Sequence, residues 1–353
     1  MKKTVTMFYM RLMCATVLLA MKGGVAAWGQ TAPSWVQNLE QVFPARDWVA
    51  VSASGTSQRL AEQAAMNALA RAFKTDVASL TRTSQHLSRI VNEAAGKKSV
   101  SLEQSQSLSQ EVNTSTSVRG LIGVQADHYL ASDGTVYANA RMNRRESATR
   151  YAGMINENTA VIHRLLDFTV GLPAGFEAYS ALSFAAAIAE VTDNFQNILE
   201  VLDPAAANRR PSYGGAEAIK TKMREVASAI TIGLVVDTEE RTDAALISRA
   251  LGSFFTGRGF KTDERGQGLY LLRANARFES LPFSARIQSS RYYFEAVLEN
   301  QNGNVDFSFT EDDRKNHNLP QEAKRLALRA VETSVKEGKF AQDFESWLGS
   351  LIE

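Results

Sequence analysis

Cys14 is the only cysteine among 353 residues, and it lies inside a segment that reads as an export signal. Lys2, Lys3 and Arg11 make a positive n-region, Leu12 to Met21 form a short apolar h-region, and Gly23, Gly24, Ala26 and Ala27 supply small residues for cleavage. The apolar run is about half the length needed to span a bilayer as a helix. Cleavage is expected after Ala27, with Gly29 as the alternative; an uncleaved anchor, with Lys22 just past the h-region, is the competing reading. Leu12 and Met13 precede Cys14, Arg11 stands third before it, and the apolar run follows instead of preceding, so lipid attachment to Cys14 is not expected. Without the signal the chain has no thiol. That excludes a disulfide framework, a cysteine nucleophile and thiolate metal sites.

With 44% hydrophobic residues, the chain can bury one large core or two modest ones, and its pattern favours two. The formal charge is +1, and removing the four cations of the signal leaves −3. No long basic stripe offsets this, so nucleic acid and anionic membrane surfaces are poor partners.

Trp48 to Val51 reads as a strand and Ser52 to Thr56 as a turn. Ser57 then caps a helix with Leu60, Ala64, Ala68, Phe73, Val77 and Leu80 on one face. Residues 98–118, rich in Ser, Gln and Thr, read as a long exposed strand or a disordered loop. Leu121 to Leu130 and Val136 to Met142 form a hairpin across Ser132-Asp133-Gly134. A helix from Arg144 follows, carrying Tyr151, Ile155, Ile162 and Leu166.

Several of these runs together resemble a known family. They are Pro33-Ser34-Trp35-Val36, Val49-Ala50-Val51-Ser52-Ala53-Ser54-Gly55, Gly120-Leu121-Ile122-Gly123-Val124, His128-Tyr129, Asp133-Gly134-Thr135-Val136-Tyr137-Ala138 and Arg141-Met142-Asn143-Arg144. The pattern, over about residues 33 to 165, is similar to the Lpp-twenty-type bacterial lipoprotein family and to FlgT N-terminal-like domains. The resemblance implies an envelope protein with a non-catalytic role. The chain departs from that family in lacking a usable lipoprotein cysteine motif, so the resemblance does not extend to lipid anchoring.

Beyond Gly171-Leu172-Pro173-Ala174-Gly175, residues Phe184, Ile188, Val191, Phe195, Ile198 and Leu202 recur at spacings of four and three. This a/d-type stripe belongs to a helix packed on its own domain or to one that meets a partner. Asp203-Pro204 ends it, and a linker follows to Gly215. Ala229 to Val236 reads as a strand covered on both faces, followed by a helix from Thr242 that stops at Gly257-Arg258-Gly259. Tyr270, Leu272, Ala274, Ala276 and Phe278 alternate along a later strand, and Tyr292 to Leu298 pairs with Val305 to Phe309. Two closing helices carry Leu326, Ala330 and Val335, then Phe340, Phe344, Trp347 and Leu351. This order of elements resembles the small α/β domain of TolB N-terminal and CsgG-type envelope proteins, which implies assembly or binding.

The search for chemistry returns no site. Gly252 to Gly259 imitates phosphate-loop spacing, but Arg258-Gly259 stands where Lys-Ser/Thr is needed, and the loop would close a helix instead of opening one. His86, His128, His163 and His317 are dispersed; His128, beside Asp127, reads as a strand-surface or packing residue. Glu311-Asp312-Asp313, followed by Arg314 and Lys315, lacks the calcium-loop pattern and reads as a solvated loop. Asn113-Thr114-Ser115 matches a glycosylation triplet, which means little in a bacterial chain.

The expected fold class is α+β, divided as 1–27 signal, 33–167 lipoprotein-like αβ domain, 173–203 helical connector, 204–215 linker and 216–353 small α/β domain. The expected function is that of an exported, non-catalytic envelope protein, in the periplasm or at the outer-membrane periphery, with secretion as the alternative. It would pair with envelope proteins or with itself, through residues 98–118 or the 184–202 stripe, without cofactor, metal or catalytic residues. One alternative is a periplasmic binding module for a small ligand or glycan, using Trp48, Tyr129, Tyr137 and Tyr292. The other is a hydrolase with dispersed carboxylates.

Overall fold

The computed structural model describes residues 31–73, 121–207 and 212–352, apart from 283–286. The export signal, residues 98–118, His86 and Asn113 lie outside the described residues. The fold is α+β, built on two sheets.

Single helical turns at Ser34–Gln37 and Leu39–Val42 lead to β1 (Trp48–Gly55). Helix α1 (Gln58–Ala72) starts at Ser57, whose hydroxyl accepts from the Leu60 amide at 3.4 Å. Strands β2 (Gln125–Leu130) and β3 (Val136–Asn143) pair antiparallel, and β3 lies between β1 and β2. Their turn forms where the sequence places it. Gly134 takes φ +85°, and the Asp133 carboxylate accepts from the Thr135 amide at 2.9 Å. The strand expected from Leu121 begins only at Gln125, because Leu121 and Ile122 turn into the core. There the Ile122 amide donates to the Tyr151 hydroxyl at 2.9 Å.

The α1 stripe is displaced by one residue from the expected face. Ala61, Ala65, Leu69 and Phe73 are fully buried, whereas Leu60 is 44% exposed. Close approach at the first turn accompanies the shift: a Cβ on Gly55 would lie 2.7 Å from the Ala61 backbone nitrogen, so a small residue stands there, and larger ones enter the core only further along, at Leu69 and Phe73.

Asn143 ends β3 and caps α2 (Arg144–Thr169), its side chain accepting from the Glu146 amide at 3.0 Å. Helix α3 (Phe176–Leu202) packs along α2. The stripe Phe184, Ile188, Val191, Phe195, Ile198 and Leu202 is buried in one core with α1, α2 and the first sheet. Its spacing reflects packing within the chain, and the stripe is not available to a partner. Helix α4 (Ala216–Ala229) is docked on α3 by Asp193, whose carboxylate accepts from the Ala216 amide at 2.9 Å and the Tyr213 hydroxyl at 3.0 Å.

The second sheet has the order β5-β4-β6-β7-β8. Strand β4 (Thr231–Thr238) runs parallel to β5 (Lys261–Asp263) and β6 (Tyr270–Pro282), with α5 (Arg241–Thr256) crossing between β4 and β5. Strands β6, β7 (Gln288–Asn300) and β8 (Val305–His317) form an antiparallel meander. Helices α6 (Pro320–Glu337) and α7 (Lys339–Gly349) return across it. One face of this sheet, bearing Leu272, Ala274, Tyr292, Phe294, Phe307 and Phe309, joins Phe254, Val331, Phe340 and Phe344 in a second core.

Strand β4 is covered on both faces only in its first half. At Gly233 the 266–267 backbone lies so near that a Cβ would meet the Gly266 carbonyl carbon at 2.5 Å, while Val235 is 39% exposed. The phosphate-loop imitation is a helix end: α5 stops at Thr256, and Gly259 takes φ +89°.

Candidate functional site

Glu311-Asp312-Asp313 is not a loop. It lies within β8, where successive side chains point to opposite faces of the sheet. Asp312 binds Arg291 across the strands, with contacts of 2.9 and 2.5 Å, and the guanidinium holds its carboxyl below the usual carboxylate range. Asp313 pairs with Lys315 at 2.6 Å and accepts from the Arg314 amide at 2.7 Å; both contacts lower its pKa. The three carboxylates therefore cannot converge on one cation. Among the described residues, no group of three or more His, Cys, Asp or Glu side chains is arranged to hold a metal.

Glu311 faces the helices and is the hub of a polar cluster. The Tyr292 hydroxyl donates to Oε1 at 3.0 Å, Ser334 on α6 donates to Oε2, and the Phe340 amide at the start of α7 donates to the Ser334 Oγ at 3.2 Å. Burial first, then the bond to Glu311 and its charge, raise the Tyr292 phenol above its ordinary value. The cluster borders a shallow depression of about 440 Å³ that also receives Lys315, Arg329 and Lys339. Chemically it is a tie between hairpin and helices: the Ser334 proton is committed to Glu311, and its oxygen already accepts from Phe340. Asp313 stays ionised at neutral pH, which removes it as the proton donor that a two-carboxylate hydrolase requires.

The other residues marked by the sequence are spread over the molecule. His128 lies 3.4 Å from Glu62 on the sheet surface, His163 touches Ser212 at 2.6 Å, and His317 Nδ1 accepts from the Leu319 amide at 3.1 Å. Of the four aromatics, Tyr292 is buried in the second core. The register places Trp48, Tyr137 and Tyr129 on one face of the first sheet, together with Ser52, Asn139 and Arg141. Arg141 donates to Asp127 and Asn139, each at 2.6 Å, and lies over the Phe43 ring.

Arg144 is a residue whose role the sequence concealed. Its Nε donates to the Ala45 carbonyl at 2.7 Å, and Nη1 donates to the carbonyls of Val201 and Leu202 at the end of α3. It stands in a depression of about 930 Å³, between Arg46, Asp47 and Asp203. An arginine directly after a predicted strand was the available signal, but its partner carbonyls lie 57 and 58 residues away.

No protein-family model matches the chain, and no curated protein does either. Solved structures resemble it loosely. A secreted protein of Helicobacter pylori aligns with 85% of this chain and 97% of its own at 16% identity and a TM-score of 0.35. A minor lipoprotein of Acinetobacter baumannii aligns with 34% of this chain and 90% of its own at 12% identity and a TM-score of 0.24. These likenesses carry over no residue roles. Among the described residues, no helix is long and apolar enough to cross a membrane.

Proposed function

We propose that the protein is exported to the cell envelope and acts there by pairing with other proteins, not by catalysis. The export part rests on the N-terminal charge, apolar run and small residues. The observation that carries the pairing part is the position of β2: among the described residues it is an edge strand of the first sheet, and Gln125, Ala126, Asp127 and His128 are all exposed. An edge of this kind accepts an extended segment through backbone hydrogen bonds and asks little of side-chain chemistry. The polar groups that would serve catalysis best, Glu311 and Ser334, are bonded to one another and to the fold.

The test is to fractionate cells expressing a C-terminally tagged chain, crosslink the envelope fraction and identify what co-purifies. A discrete set of envelope proteins, crosslinked at β2 or at residues 98–118, supports the reading. Retention of the tagged chain in the cytoplasm overturns export. A soluble, partner-free chain overturns pairing and favours a second reading, a small-ligand or glycan module, for which the shared face of Trp48, Tyr129 and Tyr137 is the supporting observation.

A further inference from the structure

We propose that two copies of this chain join edge to edge through β8. This strand closes the second sheet, runs for 13 residues, and among the described residues no strand pairs with its outer side. At Thr310 the backbone carbonyl accepts instead from the Lys339 side chain at 3.3 Å.

The order of charge along this edge selects the partner. Exposed edges are commonly protected by charges of one sign, which repel a second copy. Here Glu311, Asp312 and Asp313 are followed at once by Arg314 and Lys315, so the sign changes within the strand. Two copies of β8 laid antiparallel and centred on Asp313 set each Asp312 opposite Arg314 of the second copy. They also set each Glu311 opposite its Lys315. Opposite charges face one another at four positions, two on each face of the joined sheet. Asp313 meets its own counterpart at the axis, where the two Lys315 ammonium groups, each 2.6 Å from its own Asp313, are shared with the Glu311 carboxylates. A register centred on Thr310 sets Asp306 opposite Arg314 but places Asp313 against Phe307, so it forms fewer charge pairs and desolvates a carboxylate.

Arg314 stands directly opposite Arg291 in the β7–β8 ladder, and Asp312 pairs with that arginine within the chain. The joined sheet would continue across the two-fold axis, an isologous contact of the kind that closes a dimer. The inference does not depend on the compartment in which the protein works.

The experiment is sedimentation velocity on the purified chain over a concentration series, compared with Arg314→Asp and with the double variant Asp312→Arg/Arg314→Asp. The unaltered chain is expected to dimerise, more weakly as salt rises. Arg314→Asp is expected to weaken the dimer about tenfold or more, and the double variant to restore it. Both variants leave an acid opposite Arg291, so the sheet is retained, and far-UV circular dichroism checks this. Amide exchange along β8 is expected to slow as the dimer forms. A chain that stays monomeric at every concentration overturns the proposal, as does a dimer indifferent to both variants. Protection of β8 only on adding another envelope protein likewise overturns it, in favour of a different occupant.

Discussion

Asn158 on α2 donates its side-chain amide to the Thr192 hydroxyl on α3 at 3.0 Å, and Thr192 in turn donates to the Ile188 carbonyl at 2.8 Å. Both residues are buried, among Tyr151, Ile155, Ile162, Phe184 and Phe195. An apolar stripe alone tolerates a slide by one turn; this pair does not, because the slide strands a buried amide. Asn158→Leu is expected to cost about 1–3 kcal/mol in urea unfolding, and Thr192→Val a similar amount. The double variant should recover part of the loss, since no unpaired polar group remains. Additive losses would show that the two side chains act independently.

Alkaline pH tests the buried phenols. Burial lifts Tyr151 above its ordinary value; burial and Asp193 lift Tyr213; burial and Glu311 lift Tyr292. A pKa raised in the folded state gives stability that is complete below the unfolded value of about 10 and is lost as pH climbs through the folded values. Tyrosinate absorbance should therefore rise in two stages, the second coinciding with loss of circular dichroism. If all the tyrosines ionise together with the fold intact, the buried assignments are wrong.

Lys324 bridges α6 to the start of α5 through Glu240 at 2.6 Å and the buried Asp243 at 2.9 Å. Lys324→Met is expected to destabilise by about 1–3 kcal/mol, because it leaves the Asp243 charge buried without its cation. Adding Asp243→Asn should return much of this. A single variant as stable as the parent would show that water serves Asp243.

Two glycines predict opposite signs. Gly233→Ala drives a methyl to 2.5 Å from the Gly266 carbonyl carbon, and about 1–3 kcal/mol of strain is expected. Gly153→Ala, inside α2 with nothing beyond its own stretch of helix within 4 Å of the new methyl, is expected to stabilise by about 0.5–1 kcal/mol. Thermal unfolding of the pair decides both, and equal shifts would contradict the packing around β4.

Elements with a local cause were legible in the sequence. The Asp133-Gly134 turn, the Ser57 cap and the Gly257-Arg258-Gly259 stop each arise from residues acting on their immediate neighbours. Alternation from Tyr270 to Phe278 likewise reports a sheet with one covered face. Long-range contacts were not legible. Leu60 and Ala61 are both apolar, and which one is buried depends on how the helix sits against the sheet beside Gly55, a contact with no local signal. The acidic triplet has a loop's composition, yet Arg291 and Tyr292 on the neighbouring strand make it part of a sheet. Arg144 gives no sign that its acceptors are the last carbonyls of another helix. No local pattern could mark the polar cluster at Glu311, because its members come from β7, β8 and two helices.

The opening turn of α3 has its own consequence for the order in which the chain can fold. Phe176 packs on Phe260, Tyr270, Phe344 and Trp347, although most of its helix belongs to the other core. On a ribosome this helix emerges long before Phe344 and Trp347 exist, and Phe176 and Tyr179 stay wet until they do. The early half of the molecule can bury its own core, but it leaves this apolar turn open until the late half closes over it, so the two cores are joined only when synthesis ends.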